Sequence, residues 1–173
     1  MKSLPSQTVG PFYHLGLTAD PELGCLARPG VIGERIRVHF RMIDGDGAPV
    51  PDGLIEIWQA DASGNYDQPP GSPFRGFGRL STGADGVCTF ETILPGRTAD
   101  NQAPHINVSV FARGLLVRLC TRVYFELAED SVLALVPADR RHTLIARRDS
   151  AQPCQWNFDI RLQGENETVF FDI

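Results

Sequence analysis

His105 and Asn107 stand two residues apart in Ala103-Pro-His-Ile-Asn107, and in an extended strand positions i and i+2 share a face. An imidazole presented this way can ligate a metal or exchange a proton. Its neighbour here is asparagine, a poor transition-metal ligand beside imidazole, so the pair also fits the more ordinary role of a hydrogen-bonded strand histidine. Tyr66 lies in Gly64-Asn-Tyr-Asp67. An ionised phenol matches a hard cation such as Fe(III), whereas a lone loop tyrosine commonly serves packing. Arg113 falls on the His105 face just ahead of Gly114, where a guanidinium can grip a carboxylate with two hydrogen bonds or simply stand in water. His14, His39 and His142 share no ligand spacing with His105. No nucleophile elbow, phosphate loop, dinucleotide fingerprint or paired-carboxylate motif occurs; Gly76-Phe-Gly78 lacks the helix that a phosphate cradle needs.

Short strands must position these residues. Ile36, Val38, Phe40 and Met42 alternate with Arg35, Arg37, His39 and Arg41, the period of a half-buried strand. Leu54 to Ala60 and Val87 to Ile93 repeat the pattern after the turns Asp44-Gly-Asp-Gly47 and Thr82-Gly-Ala-Asp-Gly86. Ile106, Val108, Val110 and Ala112 face one side of a further strand. Leu115 to Phe125 returns from Gly114 as its hairpin partner. Strands over 155–162 and 167–171 complete seven, residues 61–79 read as loop, and 130–136 allows one helical turn before Pro137. This predicts an all-β chain: a β-sandwich of mainly antiparallel strands with an irregular N-terminal arm and little helix. The arm covers residues 1–33 and the sandwich 34–173. The arm must bury Phe12, Tyr13, Leu15 and Leu17 against its own domain or a partner.

The 173 residues suit one domain, and 17 glycines with 13 prolines favour turns over long helices. A net charge of −5 gives no electrostatic footprint for nucleic acid or an anionic membrane, and no apolar run reaches the length of a bilayer span. Met1 to Pro5 carry no apolar signal segment. Cys25, Cys88, Cys120 and Cys154 form no CxxC pair, so reduced cysteines and a cytoplasmic location are expected.

The stretch Asp44-Gly-Asp-Gly-Ala-Pro-Val, followed by Ile55-Glu-Ile-Trp-Gln-Ala-Asp-Ala-Ser-Gly-Asn-Tyr66, resembles the central motif of the intradiol ring-cleaving dioxygenases. Gly78-Arg79, Asp85-Gly86, Phe90-Glu-Thr-Ile-Leu-Pro-Gly96, Ala103–Asn107, Leu144-Ile-Ala-Arg147, Phe158-Asp-Ile160 and the Gly164–Phe171 end continue the likeness in order. The resemblance implies a fold in which two Tyr and two His bind Fe(III). Tyr66 stands at the first Tyr position and His105 at the first His position. Asn107 replaces the second His, and no Tyr stands near Arg97-Thr98, where the second would fall.

With two of four ligands missing, the resemblance implies a chain that holds no metal itself. It points to the α-type subunit of the family's two-subunit members, whose β subunit carries the Fe(III) in a higher αβ oligomer acting on a catechol acid and O2. The arm Ser6-Gln-Thr-Val-Gly-Pro-Phe12 is similar to that subunit's own. The likeness assigns Thr8, Gly10, Pro11 and Arg113 to substrate binding, with Arg113 also catalytic through its positive charge. Two other readings are a stand-alone binding module without catalysis, and a metalloenzyme completed by substitutes such as Asp100 or His142.

Overall fold

Alternation of apolar and polar side chains produces strands with one buried face, and two such sheets close over a shared core. The structure, a computed structural model, describes residues 6–10, 12–98 and 102–172. Its strands are β1 (Arg35–Ile43), β2 (Leu54–Gln59), β3 (Phe77–Ser81), β4 (Val87–Ile93), β5 (His105–Phe111), β6 (Leu119–Tyr124), β7 (Arg147–Arg148) and β8 (Gln155–Arg161). They form two four-stranded sheets, ordered β4-β1-β8-β7 and β3-β2-β5-β6. Pairing is antiparallel throughout except between β1 and β8, which run parallel.

Val38 and Phe40 of β1 meet Ile55 and Ile57 of β2, Phe90 of β4, Val108 and Val110 of β5, and Ile160 of β8 between the sheets. Phe40 stands edge-on to Phe90 at 5.7 Å and to Phe158 at 5.9 Å between centroids. Each such side chain contributes about 1.5–3 kcal/mol by leaving water, which fixes the register of both sheets, since a one-residue slip would turn these groups outward.

A smaller cluster of Ala103, Tyr124, Leu133, Val136 and Leu144 packs at the end of the β5–β6 pair. Asp130 ties it together. Its carboxylate accepts from the Tyr124 hydroxyl at 3.0 Å and from the backbone N–H of Ala103, Val132 and Leu133 at 2.7–2.8 Å. Burial pushes this carboxyl up, but the hydrogen bonds outweigh it and hold it below the usual carboxylate range.

The structure departs from the sequence expectations in several places, including the short added strand β7. β3 begins inside the stretch read as loop: Gly76 and Gly78 erase the alternation, and pairing to β2 with the Glu56–Arg79 ion pair (2.6 Å) supplies what the pattern lacks. β6 starts at Leu119 because Leu116 and Val117 remain exposed in the connection. Residues 167–171 form no strand; Thr168 bonds to Arg161 of one sheet and Phe171 to Cys120 of the other, so the segment crosses between sheets instead of extending either. The arm contains a helix, α1 (Tyr13–Leu17), and a 3₁₀ turn at Pro21–Gly24. All four cysteines are free; burial pushes the Cys88 thiol up to about 12. Among the described residues no helix is long and apolar enough to cross a membrane.

Candidate functional site

Tyr66 is aimed by the loop that leaves β2. The Asp61 carboxylate accepts from Ser63 N (2.8 Å) and Asn65 N (3.0 Å), while its carbonyl accepts from Gly64 N and Gly96 N. Burial raises the Asp61 carboxyl, and the hydrogen bonds from Asn65, Gln68 and Ser63 reverse that to leave it lowered. Gly64 takes φ +86°, and a Cβ there would lie 1.9 Å from the Arg97 carbonyl oxygen. Only glycine permits both the conformation and that approach. The loop therefore turns sharply and lays Tyr66 against Trp58 of β2, ring centroids 4.7 Å apart.

His105 opens β5 and is nearly fully buried. Its Nδ1 lies 2.7 Å from the Ala103 carbonyl, which can only accept, so Nδ1 carries the hydrogen and Nε2 keeps its lone pair. Tyr66 then donates its hydroxyl to Nε2 across 3.0 Å. Asn107 donates its amide to the Tyr66 oxygen at 3.0 Å and to the Trp58 carbonyl at 3.3 Å, an orientation set by that second acceptor. Desolvation lowers the His105 pKa and raises that of Tyr66, so both groups are neutral in this arrangement.

The predicted ligand positions Tyr66, His105 and Asn107 are thus brought together, and they satisfy one another. The lone pair that would coordinate a metal accepts a phenol, and Asn107 turns donors inward. Among the described residues no cluster of three or more His, Cys, Asp and Glu could hold a metal ion. His142 is engaged elsewhere, with Asp139 O at 2.7 Å and Asn166 Oδ1 at 3.0 Å. Asp100 lies outside the described residues. Among the described residues, the groups gathered here do not fit a four-ligand iron site.

The other singled-out residues gather at the far end of β5. Arg113 follows the strand and faces Asp52 across 3.4 Å, both side chains more than half exposed. Thr8 of the arm accepts from Gly114 N at 2.8 Å and donates to the Ala112 carbonyl at 3.4 Å. Gly10 is exposed nearby in sequence, and Pro11 lies outside the described residues. Tyr13 completes the group: burial raises its phenol, Asp52 adds to the rise, and Arg113 opposes it. The strand period puts His105 and Arg113 on one face, but β5 ends at Phe111, so Arg113 lies in the turn beyond it, a whole strand length from His105.

Two residues central to the site escaped the sequence reading. Asp130 orients His105 through Ala103, accepting that residue's N–H while its carbonyl accepts the imidazole. An aspartate two and three residues before capped N–H groups was its available signal. Arg122 sits directly across from Asn107, a position the alternation of β6 allowed but only the register fixes.

A sandwich with this order of motifs matches a known group. The chain belongs to the dioxygenase family, whose model matches residues 9–164; intradiol dioxygenases are non-haem iron enzymes. More particularly, it is 43% identical to the protocatechuate 3,4-dioxygenase alpha chain of Burkholderia cepacia, covering 100% of this chain and 98% of that one. The beta chain from the same organism is 35% identical over 94% of this chain and 77% of its own length. Among solved structures, the dioxygenase domain of a dioxygenase carbohydrate-binding protein fusion from Streptomyces sp. SirexAA-E superposes with TM-score 0.64 at 26% identity. That match covers 92% of this chain and 99% of the other.

Proposed function

We propose that this chain is the α-type subunit of a protocatechuate 3,4-dioxygenase, working with a β chain that holds the Fe(III). The reaction is intradiol cleavage of protocatechuate in aromatic catabolism: both atoms of O2 enter the product, 3-carboxy-cis,cis-muconate. The observation that carries this reading is the closed Tyr66–His105–Asn107 network in a chain that matches an α chain from end to end. Such a chain needs its iron supplied by a partner, and a β chain of the same fold family is the natural source.

The exposed apolar groups of the arm favour association over a stand-alone module. Phe12 is 74% exposed, Leu15 66% and Ile32 88%, more apolar surface in one segment than an isolated module has reason to carry. In the complex, Thr8, Gly10 and Pro11 line the partner's substrate pocket. Gly10 and Pro11 give a narrow backbone path past a flat ring. Thr8 is already fixed by Ala112 and Gly114, so the arm leaves the sandwich beside Arg113. Arg113 adds a positive charge that favours an anionic substrate or developing negative charge. The assembly is a higher αβ oligomer in the cytoplasm.

Iron content and protocatechuate-dependent O2 uptake, measured on this chain alone and on the chain co-expressed with its β partner, test the proposal. Iron and turnover in the pair only are expected. Stoichiometric iron with turnover in the single chain would overturn it.

A further inference from the structure

The outer face of the β4-β1-β8-β7 sheet carries a group of arginines that the proposed reaction does not use. Asp159 and Arg161 point outward from β8, because the alternating Phe158 and Ile160 are buried in the core. Parallel pairing sets Arg41 of β1 beside Asp159, and β7 brings Arg147 alongside Asn157. Arg41 grips the Asp159 carboxylate with both prongs of its fork, Nε to Oδ1 and Nη2 to Oδ2, each at 2.9 Å. Arg161 and Arg147 approach the same Oδ2 only to 3.6 and 3.9 Å, beyond hydrogen-bonding distance. Among the described residues neither of these two guanidinium groups has another carboxylate within reach.

The group borders a cleft of about 710 Å³, roomy enough for a small organic ligand. Asp159 is the one acid on its described wall, where Arg147 and Arg161 stand beside His142; Leu127 and Ile145 form an apolar side. Arg41 and Asp159 cancel, which leaves the charges of Arg147 and Arg161 unbalanced. Their Nη2 atoms are at most about 7.5 Å apart, the sum of the two distances to Oδ2, so one anionic group can bridge them. A carboxylate would balance only one of the two charges. A phosphate monoester carries about −1.5 to −2 near pH 7 and offers three strong acceptor oxygens, enough for both guanidinium groups.

We propose that this cleft binds a small organic phosphate monoester, its phosphoryl group bridging Arg147 and Arg161 and its organic part against Leu127 and Ile145. Arg41 is a positioning residue: by holding both oxygens of Asp159 it keeps that carboxylate from closing on the other two arginines. The site lies on the sheet opposite His105 and uses no metal. Its test is therefore independent of iron content and turnover in the complex.

Calorimetric titration of the full-length chain with n-butyl phosphate at pH 8 and fixed ionic strength, beside butyrate and inorganic phosphate, tests the site. Saturable binding of one butyl phosphate per chain is expected. It should be roughly tenfold tighter than butyrate, because it engages a second guanidinium, and several-fold tighter than inorganic phosphate, because it also covers the apolar side. Arg161→Gln, and Arg147→Gln at a side chain 81% exposed, should each bring butyl phosphate close to butyrate. Leu127→Ser should remove only the advantage over inorganic phosphate. Asp159→Asn should strengthen butyl phosphate binding several-fold, the opposite sign to the arginine variants, whereas Arg41→Gln should weaken it as Asp159 turns to Arg161. No saturable binding, equal affinity for butyl phosphate and butyrate, no advantage over inorganic phosphate, or full affinity in Arg147→Gln would each overturn the proposal.

Discussion

Arg113 and Asp52 face each other at 3.4 Å with both side chains largely in water, and such exposed pairs contribute about 0–1 kcal/mol. Arg113→Ala should therefore leave the urea midpoint nearly unchanged, while turnover of the assembled enzyme falls by on the order of tenfold, the loss of one favourably placed charge. Unaltered steady-state kinetics would remove Arg113 from the machinery. His105 makes the opposite kind of prediction. Desolvation lowers its pKa in the folded chain from an unfolded value near 6.5, so below that pH the unfolded chain binds more protons. Its contribution is complete above about pH 6.5 and is lost as acid approaches the lowered folded value. Urea midpoints between pH 7.5 and 5.5 should fall, and the fall should be shallower in His105→Gln. Part of the slope will remain, because His39 is lowered too, by its own burial and by Arg37.

The element that sets the site is the loop from Asp61 to Tyr66, closed against residues 94–98. Gly64→Ala would place a methyl group 1.9 Å from the Arg97 carbonyl oxygen at a positive φ. A cost of about 2–4 kcal/mol is expected, read as a lowered denaturation midpoint. Because the same loop lays Tyr66 on Trp58, the variant should also change the fluorescence of the folded chain. A midpoint and spectrum equal to those of the parent would show that the loop tolerates displacement. β3 carries a related lesson: a strand with glycines at its start holds its place through the Glu56–Arg79 pair and the β2 ladder, not through a pattern of its own.

Across the whole molecule, the residues singled out from the sequence lie at both ends of one sheet. The closed tyrosine–histidine network sits where β5 begins, and the arm with Arg113 sits where it ends. Deleting residues 1–12 should leave the sandwich folded, since the sheets and core described involve none of residues 6–10 or Phe12. In the complex with the β partner, the apparent affinity for protocatechuate should weaken several-fold, checked by KM alongside circular dichroism of the truncated chain. An unchanged KM would deny the arm its part in the pocket.

Much of this organisation is written in local chemistry. Period-two alternation marks β1, β2, β4, β5 and β8 because a strand's side chains must divide between core and surface. Asn107 two residues after His105, and no tyrosine near Thr98, are readable as residue types alone. What the sequence could not reveal is non-local. β3 exists through its partner, residues 167–171 cross between sheets, and Asp130 acts on His105 through another residue's backbone. Arg41, Arg147 and Arg161 reach Asp159 from three different strands, through registers that only packing of both sheets selects. That Tyr66 and His105 bond to each other, rather than wait apart for a ligand, depends on a loop held within hydrogen-bonding reach by Gly64. Side-chain identity determined which groups the chain brings to Tyr66, His105 and Asn107; the three-dimensional approach of distant segments decided how those groups bond to one another.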